Sequence, residues 1–314
     1  MDAKRFVEYR NAVVGEVSKA IVGKDDVIER VLSCYLCSGH VLLEDVPGTG
    51  KTMLLRAFAK AVGGSFSRVQ FTPDLLPSDL TGINFYNQKT GEFQFRKGPL
   101  FADLVLADEI NRATPRTQSS LLEAMEERQI SADGTTYPLG EGFMVMATQN
   151  PLESYGTFPL PEAQVDRFFM RLSLGYMTRQ QELSVLSRRD TTDIIANLKQ
   201  VVSAEETREM REAYREVRVS DDVQGYLMDL VEKTRSEQFS AGVSTRGAIA
   251  LYKAMQAHAA MAGREFALPE DLRAVAVPVL AHRVTAGAGV KRADAEARLQ
   301  MLVDQIPVPL ENRP

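Results

Sequence analysis

The stretch Glu44-Asp45-Val46-Pro47-Gly48-Thr49-Gly50-Lys51-Thr52 limits the folds open to this chain more than any other feature. It follows a short apolar run, His40 to Leu43, and precedes helical spacing from Thr52 to Val62, so it joins a buried strand to a helix. A loop that wraps a phosphate must turn its backbone N–H groups inward. Glycines such as Gly48 and Gly50 permit that, and the helix N-terminus adds favourable polarity. Lys51 would then reach the β- and γ-phosphates, and the Thr52 hydroxyl would ligate Mg²⁺. The strict pattern has glycine where this chain has Asp45. The plain alternative is a glycine-rich turn before an ordinary helix.

The flanking sequence fits a parallel sheet. Asp25 to Ser38 has a helical apolar face, Ser65 to Phe71 alternates like a strand, and Leu104 to Ala107 is an apolar run ending in acids. Thr114 to Arg128 reads as a helix with Pro115 early in it, and Phe143 to Thr148 and Phe168 to Leu174 are further apolar runs. Strands alternating with helices predict a sheet covered on both faces. Two polar segments interrupt the alternation, Ile83 to Arg96 around Lys89-Thr90-Gly91-Glu92 and Gln129 to Phe143 around Asp133-Gly134. Both read as hairpins projecting from the sheet.

Beyond about Tyr176 the strand signal ends. Helical periodicity runs through Arg179 to Arg189, Ala204 to Val217, Asp221 to Arg235, Thr245 to Met261, Pro269 to Arg283 and Ala293 to Val303. The division expected is an α/β domain over 1–178 and an all-helical domain over 179–314. A length of 314 residues suits about two domains of ~150 residues.

Composition narrows the function classes. A net charge of −5 argues against a nucleic-acid binder, which usually carries a basic face. No run of about 18 apolar residues suggests membrane insertion, and Met1 to Arg10 lacks the apolar stretch of a signal peptide. Two cysteines, Cys34 and Cys37, make no disulfide framework, and without nearby partners they make no zinc site. They read as buried thiols on a helix, and His258 reads as part of a helix rather than a ligand. The expected setting is a reduced cytoplasm.

A second motif supports the first. The run Leu104 to Ala107 ends in Asp108-Glu109. Downstream of a phosphate loop, such an Asp holds the Mg²⁺ shell, and the Glu beside it can accept a proton from the attacking water.

With these motifs the sequence resembles the MoxR family of AAA+ ATPases, in the group that also holds magnesium-chelatase motors and MCM helicases. The resemblance runs through Gly39 to Glu44, the phosphate loop, Gln70 to Asp79, Asp108 to Ala113, Ala147 to Pro151 and Leu160 to Phe168. It implies a P-loop AAA+ domain, a three-layer parallel α/β sheet with β-hairpin insertions, followed by an all-α lid domain. It implies binding of ATP and ADP with Mg²⁺, held by Thr52 and Asp108. Nucleotide contacts are implied for Val22 and Gly23 around the adenine, and for Asp45, Pro47, Gly48, Thr49, Gly50, Lys51, Thr52 and Met53.

The resemblance also implies catalytic roles for Lys51, Glu109, Asn150, Arg167 and Arg246. Asn150 resembles sensor 1, which orients the water, and otherwise closes a turn before Pro151. Arg167 resembles the arginine finger supplied to a neighbouring subunit, and otherwise is a surface arginine paired with Asp166. Arg246, in Gly242 to Arg246, resembles sensor 2, which contacts the nucleotide and carries its phosphate state into the lid. Arg112 and Arg116 are either interface residues or solvated charges. The alternating Phe85, Tyr86, Phe93 and Phe95 of the first hairpin form either a contact surface or a self-packed face.

The expected function is ATP-driven, chaperone-like remodelling of partner proteins by a homo-hexameric ring. A von Willebrand factor A-domain protein is an expected partner by family resemblance. The competing readings are the motor subunit of a magnesium chelatase, a nucleic-acid motor and a non-hydrolysing nucleotide switch.

Overall fold

The computed structural model describes residues 2–150, 156–187, 192–236, 239–285 and 292–309. The first part holds α1 (Ala3–Ser18), α2 (Asp25–Leu36), β1 (Val41–Glu44), α3 (Lys51–Val62), β2 (Phe66–Gln70), α4 (Pro77–Thr81), β3 (Gly82–Asn87), β4 (Glu92–Lys97), β5 (Leu104–Asp108), α5 (Pro115–Glu127), β6 (Gln129–Ala132), β7 (Thr135–Pro138), β8 (Met144–Gln149), α6 (Glu162–Val165) and β9 (Met170–Leu172). The second part holds α7 (Arg179–Leu186), α8 (Thr192–Asn197), α9 (Ala204–Ala213), α10 (Asp221–Thr234), α11 (Thr245–Met261), α12 (Pro269–Leu280) and α13 (Arg292–Gln305). The expected helix beyond Leu186 to Arg189 runs into residues outside the described set, as does Pro151.

Strands β2-β5-β8-β1-β9 pair in that order, all parallel. Successive side chains of a strand point to opposite faces, so both faces need cover. Leu42, Val105, Ala107, Val145 and Ala147 pack with Leu121, Leu122 and Met125 of α5 on one face. Val41, Leu43, Leu104, Leu106, Met144 and Met146 join the core of α1, α2 and α3 on the other. That second core continues without a break into Leu230, Leu251 and Leu272 of the helical part. The α/β sheet with a helical lid therefore agrees with the sequence expectation.

Two elements differ from it. Helix α1 was not expected, because the charged start masks its inward stripe. Phe6, Tyr9, Val13 and Val17 are buried at helical spacing, while the lysines and arginines stay outside. Strand β9 is shorter than the run Phe168 to Leu174, because the donors of Ser173, Leu174 and Gly175 turn to Asp45 instead of continuing the sheet.

Both hairpins form, with Tyr86 opposite Phe93 and Ile130 opposite Tyr137. The second turns on Asp133 (φ 47°) and Gly134 (φ 79°), the left-handed pair that tight hairpins require. The first hairpin's aromatics divide between the two alternatives. Phe95 stacks on Tyr137 at 4.4 Å, and Asn84 donates to Asp133 at 2.6 Å, so the two hairpins lock together. Tyr86 and Phe93 pair edge-to-face at 5.4 Å near the tip and remain 54% and 74% exposed.

Candidate active site

The loop between β1 and α3 follows from its glycines. Gly48 and Gly50 sit at φ 85° and 94°, where a side chain is strained although the space beside each is open. Conformation, not crowding, calls for glycine there. Gly50 caps α3, so the N–H groups of Lys51, Thr52 and Met53 open the helix without intrahelical acceptors. The Lys51 ammonium lies back across the loop and donates to the carbonyls of Asp45 (3.1 Å) and Val46 (3.4 Å).

Asp45 stands where the strict pattern has glycine. Its buried carboxylate accepts from Ser173 Oγ at 3.0 Å, the Leu174 N–H at 2.5 Å and the Gly175 N–H at 3.2 Å. It ties the start of the loop to the segment leading into the helical part.

Strand β5 delivers the acids. Asp108 Oδ1 accepts from Thr148 Oγ1 at 2.6 Å, and Asp108 Oδ2 accepts from Arg68 at 2.6 Å. Glu109 adopts the left-handed conformation (φ 58°), which costs about 1 kcal/mol for a residue with a Cβ. Its N–H donates to the same Thr148 hydroxyl at 2.8 Å. Glu109 Oε2 accepts from Gln70 at 2.6 Å and from Arg112 at 2.9 Å. Thr148 thus brackets both acids from β8.

These groups converge on a cavity of about 540 Å³ at the C-terminal edge of the sheet. Lys51, Thr52, Asp108, Glu109 and buried Asn150 line it, and Ile195 closes it from the helical part. Across the loop a second cavity, about 400 Å³, lies between Pro47–Thr49, Gly175–Met177 and α7. Val22 and Gly23 line neither cavity. Gly23 is tied to the start of the helical part, where Gln181 donates to its carbonyl, and Lys24 donates to the Tyr176 carbonyl.

Arg167 and Arg246 lie elsewhere. In a parallel sheet the loop, Glu109 and Asn150 all follow C-terminal strand ends, whereas Arg167 precedes β9 and so lies at the N-terminal edge. Strands of four to six residues, rising about 3.3 Å each, separate the two edges by roughly 15 Å. Arg246, expected to contact the nucleotide, does not line the loop cavity of this chain. It pairs with Glu126, as does Arg167 (Nε to Oε2, 2.5 Å), beside a third cavity of about 320 Å³. Asp166 is not the partner of Arg167. Buried Arg283 takes it at 2.7 Å, and Ser244 donates to it at 3.1 Å.

Sequence reasoning assigns no role to Arg68, Gln70 or Thr148. Gln70 and Thr148 lie in stretches that carried the resemblance, so position was their signal, and Arg68 had none. Arg112, left open between two roles, reaches Glu109. Among the described residues no three His, Cys, Asp or Glu side chains group as for a metal site, and Cys34 and Cys37 are buried free thiols. No helix among them is long and apolar enough to cross a membrane.

Residues 40–170 match the family described as ATPase family associated with various cellular activities (AAA), and residues 231–302 match an AAA lid domain. The protein YeaC of Bacillus subtilis is 46% identical over 95% of this chain and 94% of its own length. Chaperone MoxR1 of Mycobacterium tuberculosis is 40% identical over 86% of this chain and 74% of its own. A crystal structure from Cytophaga hutchinsonii, described as that of a candidate ATPase, superposes with a TM-score of 0.88 at 38% identity, covering 98% of both chains.

Proposed function

The chain belongs to the MoxR family of AAA+ ATPases and hydrolyses ATP; on that premise we propose that it does so at sites completed between copies in a ring, and that turnover drives remodelling of partner proteins.

Lys51 and the N–H groups opening α3 bind the β- and γ-phosphates. Thr52 and Asp108 would hold Mg²⁺, which keeps most of its shell as water and phosphate oxygen and would neutralise charge developing on the phosphates. Two oxygen donors beside a phosphate loop fit that ion, a hard cation that takes carboxylate and water oxygens. Glu109 takes the proton from water as its oxygen bonds to the γ-phosphorus, and the bond to the bridging oxygen of ADP breaks. Asn150 orients that water. The base occupies the cavity between Pro47–Thr49 and Tyr176.

One observation carries the composite site. Glu109 and Lys51 converge at one edge of the sheet, while Arg167 and Arg246 converge at the other. Arginines that cannot reach their own nucleotide are available to a neighbour's in a head-to-tail assembly, which we take as a closed hexameric ring. The chaperone-like role rests on the name of the mycobacterial relative, and a von Willebrand factor A-domain protein remains the proposed partner class.

Arg167→Ala tests the site. Unchanged ATP binding with turnover lowered by about 10³-fold is expected for a finger in trans. Wild-type turnover in Arg167→Ala rings would exclude it. For remodelling, ATP-dependent suppression of aggregation of a heat-denatured protein, absent in Glu109→Gln, is the expected result.

A further inference from the structure

Glu126 lies at the end of α5, one strand length from the phosphate loop, and no step of hydrolysis within this chain uses it. Its two carboxylate oxygens are shared between two arginines from different parts of the chain. Oε2 accepts from Nε of Arg167, just before β9, and Oε1 accepts from Nη2 of Arg246, in the first turn of α11. Two guanidinium groups brought this close repel unless an anion lies between them. Arg167 holds the Glu126 carboxyl below the usual range, with Arg246 adding to the effect.

The geometry of the pair is directional. Arg167 is engaged through its inner Nε while its side chain stays 30% exposed. The backbone carrying it is fixed from the lid. Arg283 donates to Asp166 and to the carbonyls of Phe168 and Phe169, and Ser244, two residues before Arg246, donates to Asp166. The turn bearing Arg167 and the helix start bearing Arg246 are therefore joined at Asp166 and again at Glu126.

We propose that Glu126 is a positioning residue that couples Arg167 and Arg246 into one unit, so that both meet the terminal phosphate of a neighbouring copy's ATP together. The proposal rests on the reading that these arginines serve a neighbour. An exposed ion pair contributes little to stability, so the effect of Glu126 falls on the neighbour's turnover. Without Glu126 each arginine samples its own rotamers, and a misplaced group costs one to two orders of magnitude in rate.

Mixed assemblies separate the two claims. A donor with Lys51→Ala lacks its own phosphate site but keeps its arginines. A receiver with Arg167→Ala and Arg246→Ala keeps its phosphate site but lacks them. Each alone is expected to be silent, and the mixture active. Replacing the donor with Lys51→Ala/Glu126→Gln should lower turnover of the mixture about 10-fold or more with the KM for ATP unchanged, and Glu126→Asp should recover part of the loss. If the Glu126→Gln donor supports full turnover, the positioning role is overturned and the composite site stands. If the unmodified donor leaves the receiver silent, the reading beneath the proposal fails. The mass of each mixture is measured in the same samples. Glu126→Gln keeps the side-chain volume at a position 33% exposed, so loss of folding is not expected. A loss of mass that accounts for the lost turnover would also overturn the proposal.

Discussion

The Gln70 side-chain amide donates to the Glu109 carboxylate at 2.6 Å, bridging the ends of β2 and β5. Gln70 and Arg112 both donate to Oε2, so one oxygen of Glu109 is anchored by two donors. Gln70→Ala removes one anchor from the general base without touching the phosphate loop. The expected outcome is a kcat lower by about 10-fold with KM for ATP within twofold of wild type. Steady-state kinetics reads the split.

Thr148 offers a sharper case. Its hydroxyl donates to Asp108 and accepts from the Glu109 N–H, so it holds both acids and satisfies a strained backbone. Thr148→Val keeps the volume and removes both bonds. Turnover should fall about 10- to 100-fold, and Thr148→Ser should restore most of it. Equal activity in the Val and Ser variants would remove Thr148 from the site.

Asp45→Gly returns the loop to the strict phosphate-binding pattern, yet the expected effect is a loss. The change strips acceptors from Ser173, Leu174 and Gly175, and the buried Leu174 N–H left without one costs about 1–3 kcal/mol. A Tm lower by roughly 4 °C or more is expected from calorimetry, with a higher KM for ATP because Gly175 and Tyr176 wall the cavity beside Pro47.

Stability at low pH should depend on Asp271. Burial disfavours its charge, but donors from Arg264, His258 and the Leu268 N–H outweigh burial and hold the carboxyl at about 2, below its ordinary 3.8. A depressed folded-state value stabilises above the unfolded value and loses that stability as pH falls from near 4 toward 2. The contribution is about 2 kcal/mol at neutral pH. Asp271→Asn should flatten unfolding free energy against pH in that window, measured by urea titration.

The sequence made the sheet, the phosphate loop and the paired acids legible, because each rests on local constraints. Gly48 and Gly50 must take positive φ, and the strands Leu104–Asp108 and Met144–Gln149 must be apolar on both faces. What it did not reveal depends on contacts between distant segments. The motif around Arg246 says nothing of where α11 docks, so the edge of the sheet that Arg246 faces was not legible. Its position follows from Ser244 and Arg283 gripping Asp166, 78 and 117 residues away. Gln70 and Thr148 were missed for the same reason, each meeting the acids across 39 or 40 residues of chain. Helix α1 was readable from Phe6, Tyr9, Val13 and Val17 but was obscured by its charges.

The central claim is that ATP is hydrolysed at sites assembled between copies. Its most direct test is specific ATPase activity across a protein concentration series, with assembly mass measured at each point, for wild type and Glu109→Gln. Activity that rises with mass in the wild type, together with a Glu109→Gln protein that binds ATP without turning it over, is the predicted result. Equal specific activity in monomer and assembly would contradict it.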